Sequence, residues 1–348
     1  MTSSDSPSTV QGIHDWTEPG VYEVSPGIYR LPMPMPNDGL RAVNVYAIEA
    51  DEGLLLVDGG WALAETREAL EKALDSIGHP VADIYRFVIT HVHRDHYTQA
   101  VTVRREFGSK IALGLADRES LESAISADAD GKQMIAALRR GGAAEIIPSL
   151  LESGFGRSAE QSAWELPDEW LSGGEQIPIT GNRHLDAIHT PGHTKGHLVF
   201  AEMSRNLLFT GDHVLPHITP SIGFEASRAH LPLRDYMTSL RLVRGLPDMA
   251  MLPAHGQPGP SVHARADELL RHHEQRLELC LVAIKPTGTT AYDVAREIAW
   301  TGRGRRFADL DPFNQMLAVS ETLAHLDVLV LDGRLTVEDR GGIRIYVT

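Results

Sequence analysis

The sequence predicts an α/β fold of alternating strands and helices, followed by a smaller C-terminal unit of helices and a hairpin. Short apolar runs bounded by turn-forming residues recur from Val21 to His255, and segments with helical periodicity separate several of them. The chain has 348 residues, 42% of them hydrophobic, which is enough for one large core and a smaller second one. Such alternation is typical of layered α/β architectures.

The N-terminal third predicts strands followed by two helices. Residues 1–19 are rich in Ser, Pro and Thr and are expected to form a disordered tail. The runs GIYRLPMP, AVNVYAIEA and GLLLVDGG come next, separated by the turn segments NDG and ADEG. Residues 62–77 carry leucines on one helical face, and Gly78 ends this helix. The strand YRFVIT then leads into a histidine-rich loop and a second helix that ends at Gly108.

The rest of the chain predicts an insertion, further strands and a separate C-terminal domain. Residues 117–175 are mostly helical in pattern, so we expect a helical insertion into a main domain of residues 20–260. Strands resume at HLDAIHT, LVFAEM, NLLFTGD and DMAMLPAH. Residues 261–348 predict three helices, near 262–283, 291–300 and 312–326, and a terminal β-hairpin. This is the outline of a small winged-helix-like α+β module.

Histidines and aspartates follow the ends of the predicted strands in a pattern typical of a metal site. The motif H-x-H-x-D-H follows YRFVIT, and later candidates lie in HTPGHTKGH, NLLFTGD and MLPAHG. Strands of one sheet bring their ends together at a rim, so we expect these side chains to converge. Zinc takes imidazole nitrogen and carboxylate oxygen, and seven ligands suit two ions that share a carboxylate and a water. The candidate metal ligands are His91, His93, Asp95, His96, His193, Asp212 and His255.

These motifs resemble those of the metallo-β-lactamase superfamily over roughly residues 20–260. The resemblance implies an αββα sandwich with a two-metal site at one edge. It implies that His91, His93 and His193 hold the first metal, that Asp95, His96 and His255 hold the second, and that Asp212 bridges the two.

The resemblance also implies a supporting carboxylate. At one point the sequence departs from the pattern of the family. Asp58, in LLLVDGG, matches a carboxylate that lies beneath the metal site in the family, where it would anchor a ligand histidine. Many relatives read D-H-x-G-G, whereas here Tyr97, Thr98, Gln99 and Ala100 follow His96, so the pocket floor is expected to differ. The C-terminal segment resembles the winged-helix extension of the subgroup that includes lactamase-β-like protein 2.

The predicted site indicates hydrolysis by a metal-activated hydroxide. Two zinc ions would lower the pKa of bound water towards ~7, and Asp95 is the candidate catalytic residue because it could orient that water and shuttle its proton. We expect a small-molecule acyl substrate, a thioester, ester or lactone, as in glyoxalase-II-like relatives. The alternatives are phosphodiester hydrolysis, as in a ribonuclease of the winged-helix subgroup, iron-dependent oxidoreductase chemistry, and a non-catalytic interaction protein.

Other polar residues near the motifs have less defined interpretations. Substrate contact is a hypothesis for His213, His217, Lys195 and Tyr97, whereas His197 is expected to make a structural hydrogen bond. The pair His272 and His273, in the first C-terminal helix, is interpreted as surface residues, and Cys280 as a small buried hydrophobe.

Charge and hydropathy restrict the partners. With 32 basic and 47 acidic residues, the net charge of −15 disfavours a polyanion partner. The third predicted C-terminal helix carries Asp311, Glu321 and Asp327 and no lysine or arginine, so nucleic-acid binding is not expected. No apolar run approaches the roughly 20 residues of a membrane span, and the N-terminus does not resemble a secretory signal. We therefore expect a soluble cytoplasmic protein, and the sequence carries no signal for an oligomeric state.

Overall fold

The computed structural model describes residues 15–36, 38–126, 131–156, 163–300 and 304–348. Residues 1–14 of the predicted disordered tail lie outside the described residues. Residues 15–19 were predicted to belong to that tail, but they form a turn in which Glu18 N donates to Asp15 O. Asp15 also pairs with Arg41 at 2.6 Å, which holds this turn against the domain.

The first sheet follows the order of the chain, so that neighbouring strands in the sequence are neighbours in space. Its strands are β1 (Tyr22–Ser25), β2 (Ile28–Pro34), β3 (Ala42–Ala50), β4 (Gly53–Val57), β5 (Ile84–Val88), β6 (Lys110–Gly114) and β7 (Glu169–Leu171). The pairs from β1 to β4 are antiparallel, and the pairs from β4 to β7 are parallel. The strand β7 lies within the predicted helical insertion and was not expected, because three residues are too few to show a strand pattern.

The second sheet packs face to face on the first. Its strands are β8 (Gln176–Thr180), β9 (Arg183–His189), β10 (Leu198–Glu202), β11 (Leu207–Gly211) and β12 (Ala250–Pro253), in the order β12-β11-β10-β9-β8. Side chains alternate along each strand, so Phe200 of β10 and Leu55 of β4 belong to the core between the sheets. Val199 and Ala201 of β10 lie on the outer face of the second sheet. Leu54 and Leu56 of β4 lie on the outer face of the first sheet.

Helices cover the outer faces of both sheets. On the first sheet, α1 (Ala64–Ser76) and α2 (Arg94–Phe107) bury Leu70 and Val101 against Leu54 and Leu56. The insertion then contributes α3 (Arg118–Ile125), α4 (Lys132–Arg140) and α5 (Ile147–Glu152). On the second sheet lie α6 (Pro232–Gly245), which the sequence patterns did not predict, and α7 (Val262–Val282). The layers therefore run helix, sheet, sheet, helix, and the predicted αββα sandwich is confirmed.

The C-terminal segment has the predicted elements and shares the core of the main domain. After α7 come α8 (Ala291–Glu297), α9 (Pro312–Leu331) and the hairpin of β13 (Thr336–Arg340) and β14 (Ile343–Val347). Leu323 of α9 belongs to the same apolar cluster as Leu138 of α4 and Leu240 of α6. The boundary at residue 260 and the winged-helix-like assignment stay predictions. No helix among the described residues is long and apolar enough to cross a membrane.

Candidate metal centre

The seven predicted ligands converge at one edge of the sandwich, each shortly after the end of a strand. His91 and His93 follow β5, and Asp95 and His96 lie in the first turn of α2. The other three predicted ligands follow β9, β11 and β12. Gly211, before Asp212, has φ +50°, and a Cβ there would lie 2.8 Å from Thr90 Cβ, so only glycine lets these two loops approach. The strand ends thus bring together side chains from widely separated parts of the chain.

Three imidazole nitrogens form a compact triangle. His91 Nε2 lies 2.9 Å from His93 Nδ1 and 3.2 Å from His193 Nε2, and the third side of the triangle is 3.0 Å. Asp212 Oδ2 lies 3.4 Å from His193 Nε2. One ligand atom of each of these four residues lies within 4.8 Å of the others, so this group could hold a metal ion.

A second group faces the other oxygen of Asp212. Asp95 Oδ2 lies 3.5 Å from His96 Nε2 and 3.4 Å from His255 Nε2. Asp212 Oδ1 lies 3.4 Å from His255 Nε2 and 3.8 Å from His96 Nε2. Asp95, His96 and His255 could hold a metal ion of their own. Asp212 therefore presents one carboxylate oxygen to each group.

The ring nitrogens that point away from the two groups are hydrogen-bonded, and the three that contact backbone carbonyls have a fixed tautomer. A backbone carbonyl only accepts, so a ring nitrogen bonded to one carries the proton and the opposite nitrogen presents a lone pair to the site. The outward contacts are His93 Nε2 to Phe224 O at 2.7 Å, His193 Nδ1 to Ser221 O at 2.7 Å, His255 Nδ1 to Ala42 O at 2.8 Å, His96 Nδ1 to Asp58 Oδ2 at 2.9 Å and His91 Nδ1 to Thr90 Oγ1 at 3.0 Å.

Asp58 lies beneath the second group and joins it to the first. Its Oδ2 accepts from His96 Nδ1, and its Oδ1 accepts from Thr90 N at 2.8 Å and from Thr90 Oγ1 at 3.0 Å. Asp58 has φ +63°, a left-handed conformation that costs a non-glycine residue energy unless the surroundings impose it. These hydrogen bonds hold the carboxylate directly below the histidine motif.

Burial and neighbouring charge give the two groups different electrostatics. Burial lowers the pKa of His93 to about 3 and that of His91 well below its usual value, so the triangle is neutral. Burial also opposes a charge on His96, but the carboxylates of Asp95, Asp58 and Asp212 outweigh it and raise its pKa well above the usual value. The second group therefore attracts positive charge, which is what a metal ion would supply.

The polar atoms at the centre fit a metal ion. His96 Nε2, His255 Nε2 and Asp212 Oδ1 are buried and have no hydrogen-bond partner among the described residues. Buried polar atoms are rarely left without a partner, and these three face one another at 3.4 and 3.8 Å. The donor set of imidazole and carboxylate is the one that zinc prefers.

Asp117 and Glu225 support the site, and neither was predicted from the sequence. Asp117 is fully buried and accepts from Val92 N at 2.9 Å, between two predicted ligands, and from Gly196 N at 2.6 Å. It therefore ties the loop after β5 to the loop after β9. Burial, together with the charge of Asp117, raises the pKa of Glu225 to about 8. The only signal for Asp117 is its location after the strand KIALG, like the ligands themselves.

Three of the other polar residues singled out in the sequence have structural partners. His197 accepts from Asp212 N at 3.2 Å, as expected of a structural histidine. Lys195 Nζ contacts Glu119 at 2.7 Å and Ser227 at 2.8 Å. Tyr97 is buried, with its hydroxyl donating to Glu165 O at 2.8 Å. His213 is fully buried and His217 is exposed, so of these two only His217 is open to a ligand from solvent.

An aromatic pair connects the first group to the C-terminal helices. The ring centres of Phe224 and His93 are 5.8 Å apart. The ring of Phe313 contacts the ring of Phe224 edge-on, with the ring centres 5.4 Å apart. Phe313 is in the first turn of α9 and is 39% exposed. The C-terminal segment therefore contributes a partly exposed apolar side chain close to the candidate metal centre.

The fold and the site define a metal-dependent hydrolase, and comparison with known families agrees. A model of the metallo-beta-lactamase superfamily matches residues 38–255, and the chain belongs to this superfamily. Over 318 residues it is 26% identical to the probable metallo-hydrolase YqjP of Bacillus subtilis (strain 168), covering 88% of this chain and 92% of that protein. It is 26% identical over 221 residues to a protein of Aspergillus aculeatus named atrochrysone carboxyl ACP thioesterase AacuM. That alignment covers 59% of this chain and 64% of the Aspergillus protein.

Two solved structures are similar over nearly the whole chain. A beta-lactamase domain protein from Burkholderia ambifaria superposes with a TM-score of 0.72 at 25% identity, covering 94% of both chains. A metallo-beta-lactamase family protein from Thermus thermophilus gives a TM-score of 0.70 at 26% identity, covering 93% of this chain and 99% of that one. The similarity therefore extends beyond the residues that match the family model.

Proposed function

We propose that this protein is a dinuclear zinc hydrolase that acts on a small acyl substrate, a thioester, ester or lactone. His91, His93 and His193 would hold one ion, Asp95, His96 and His255 the other, and Asp212 would bridge them. The observation that carries the proposal is the orientation of Asp212, whose Oδ2 faces the triangle at 3.4 Å and whose Oδ1 faces His255 at 3.4 Å. A single carboxylate between two complete donor sets is expected of a paired-metal centre.

The chain's own residues would position the reacting water and its proton. When bound, the zinc ions would supply a water of lowered pKa and polarise the substrate carbonyl. Asp95 is the candidate proton acceptor, because its carboxylate belongs to the second group and its side chain is 12% exposed. Asp95 also lies in the first turn of α2, where the helix dipole stabilises a carboxylate. Burial opposes the charge on Asp95, but His96 and His255 outweigh it and hold the pKa well below its usual value, so the carboxylate stays ionised and can orient a water for attack.

Two features support an acyl substrate. The similar protein from Aspergillus aculeatus is named a thioesterase, and a thiolate leaves without a strong general acid. The aromatic pair of Phe224 and Phe313 offers apolar surface beside His93, which suits a hydrocarbon or aromatic acyl group. The substrate's acyl part would then lie against α9 while its carbonyl faces Asp95.

Charge opposes the alternative of phosphodiester hydrolysis. The helix α9 carries Glu321 and Asp327 and no lysine or arginine, and Asp311 precedes it. A nucleic-acid-binding helix needs the opposite charge. Submicromolar binding of RNA with a steep salt dependence would favour the nuclease alternative over ours.

Metal quantification followed by a substrate panel tests the proposal. We expect about two zinc ions per chain, and turnover of thioesters or lactones that is lost after chelation and restored by zinc. The control is the same panel with phosphodiesters, which we expect to remain intact. Iron as the bound metal, together with oxygen-dependent turnover, would support an oxidoreductase and contradict our proposal.

A further inference from the structure

A second cluster of histidines and a carboxylate lies between the C-terminal helices. His272 and His273 are consecutive in α7, and Glu321 and His325 are one turn apart in α9. One ligand atom each of His272, His273 and Glu321 lies within 4.8 Å of the others. The interpretation of His273 as a surface residue is wrong, because α7 packs on both α6 and α9 and buries this ring completely.

Hydrogen bonds fix the tautomers of the two buried histidines. His325 Nδ1 lies 2.8 Å from the backbone oxygen of Glu321, and since a carbonyl only accepts, this nitrogen carries the proton. The other nitrogen, His325 Nε2, therefore accepts from His273 Nδ1 at 3.2 Å. His273 is left with a lone pair on Nε2, a buried atom that has no hydrogen-bond partner in the described part of the chain.

The two buried imidazole rings of the cluster carry no charge. Burial lowers the pKa of His325 to about 3 and that of His273 well below its usual value, so both rings are neutral, as metal binding requires. Arg276 Nε lies 3.9 Å from Glu321 Oε1, in an ion pair that is too long for a hydrogen bond, and burial raises the pKa of Glu321. Arg276 instead donates to Ala299 O at 2.8 Å and stacks on Trp300 at 4.2 Å. Its charge would nevertheless weaken cation binding.

We propose that His272, His273 and Glu321 form a further metal site that takes a divalent transition-metal ion such as zinc. Two imidazole nitrogens and one carboxylate oxygen are a donor set that zinc accepts, with water completing the coordination. His272 and Glu321 are partly exposed, which gives the ion a path from solvent to the buried His273. The ion would link α7 to α9. Because of Arg276, it would be held more weakly than the ions of the principal centre.

Zinc content of the full-length protein tests this site. Wild type, Glu321→Gln and His272→Gln are dialysed at the same free zinc concentration and analysed by mass spectrometry. We expect each variant to contain one equivalent of zinc fewer than wild type. This difference does not depend on how many ions the principal centre holds. A failure of this proposal can therefore be told apart from a failure of the proposed function. The matched control is Glu274→Gln, an exposed glutamate of α7, which should equal wild type. Equal zinc content in all four proteins overturns the proposal.

A crystallographic measurement tests the same site without a variant. Anomalous difference maps from zinc-soaked crystals, collected at the zinc edge, should show a peak about 2.0–2.1 Å from His273 Nε2. A water refined there, with no anomalous signal, would assign the lone pair to solvent and overturn the proposal.

Discussion

Replacing Asp58 by asparagine should weaken metal binding through the proton of His96. In the native protein, Asp58 Oδ2 accepts from His96 Nδ1 at 2.9 Å, which leaves Nε2 free to face the second group. In Asp58→Asn the remaining oxygen still accepts from Thr90 N, but the new NH₂ group opposes the Nδ1 proton. To avoid two facing donors, His96 must move its proton to Nε2 and lose the lone pair on that side.

The expected magnitude follows from the role of such supporting groups. Loss of a hydrogen-bond partner behind a metal-bound histidine costs about 10–100-fold in metal affinity or activity, or about 1.4–2.8 kcal/mol. The assay is zinc retention against a graded chelator, measured by mass spectrometry, together with kcat/KM at saturating zinc. The control Asp75→Asn changes an exposed aspartate of α1 and should behave as wild type. Retention of both metals by Asp58→Asn at wild-type affinity would refute this reasoning.

Three further predictions concern the bridge, the aromatic pair and pH. Asp212→Asn should lose at least one zinc ion and reduce kcat/KM by about 100-fold or more, because each donor set loses an anionic oxygen; two tightly held ions with full turnover would rule out bridging. Phe313→Ala should raise KM about fivefold for an aromatic acyl thioester, which corresponds to about 1 kcal/mol of lost ring contact, and leave an acetyl thioester unaffected; equal effects on both would exclude an acyl contact. Because the pKa of Glu225 is raised to about 8, folded protein binds a proton there that unfolded protein releases above about pH 4.5, so the stability of wild type falls as pH rises to about 8. Glu225→Gln should show a smaller loss of Tm between about pH 5 and pH 8, and an identical loss would contradict the raised pKa.

The convergence of the candidate ligands could be predicted because four of them follow one positional rule. His91, His193, Asp212 and His255 each come just after an apolar strand, and the parallel or adjacent strands of a sandwich bring such positions together. Asp58 could be predicted only through the resemblance to the superfamily, since one aspartate in a turn is otherwise unremarkable in sequence. Its role depends on the distance to His96, which no local pattern contains.

The missed features depend on tertiary contacts. Asp117 and Glu225 act by accepting backbone N–H groups from distant loops, and a buried acceptor of this kind has no sequence motif. The burial of His273 depends on α7 packing between two other helices, so helical periodicity alone does not tell which face is exposed. The helix α6 follows a stretch rich in proline, glycine and serine, and its beginning at Pro232 is hidden in that context.

The segment between Asp212 and Pro232 has no helix or strand, yet it supplies the carbonyls that orient His93 and His193. This segment is held from the far side by α9, through Phe313 on Phe224 and through Arg228, which donates to Ser320 O at 3.2 Å. The C-terminal helices thus act on the imidazoles through a segment that has no regular secondary structure. Exchanging these helices between related proteins would therefore alter metal affinity as well as substrate preference, although every ligand remained unchanged.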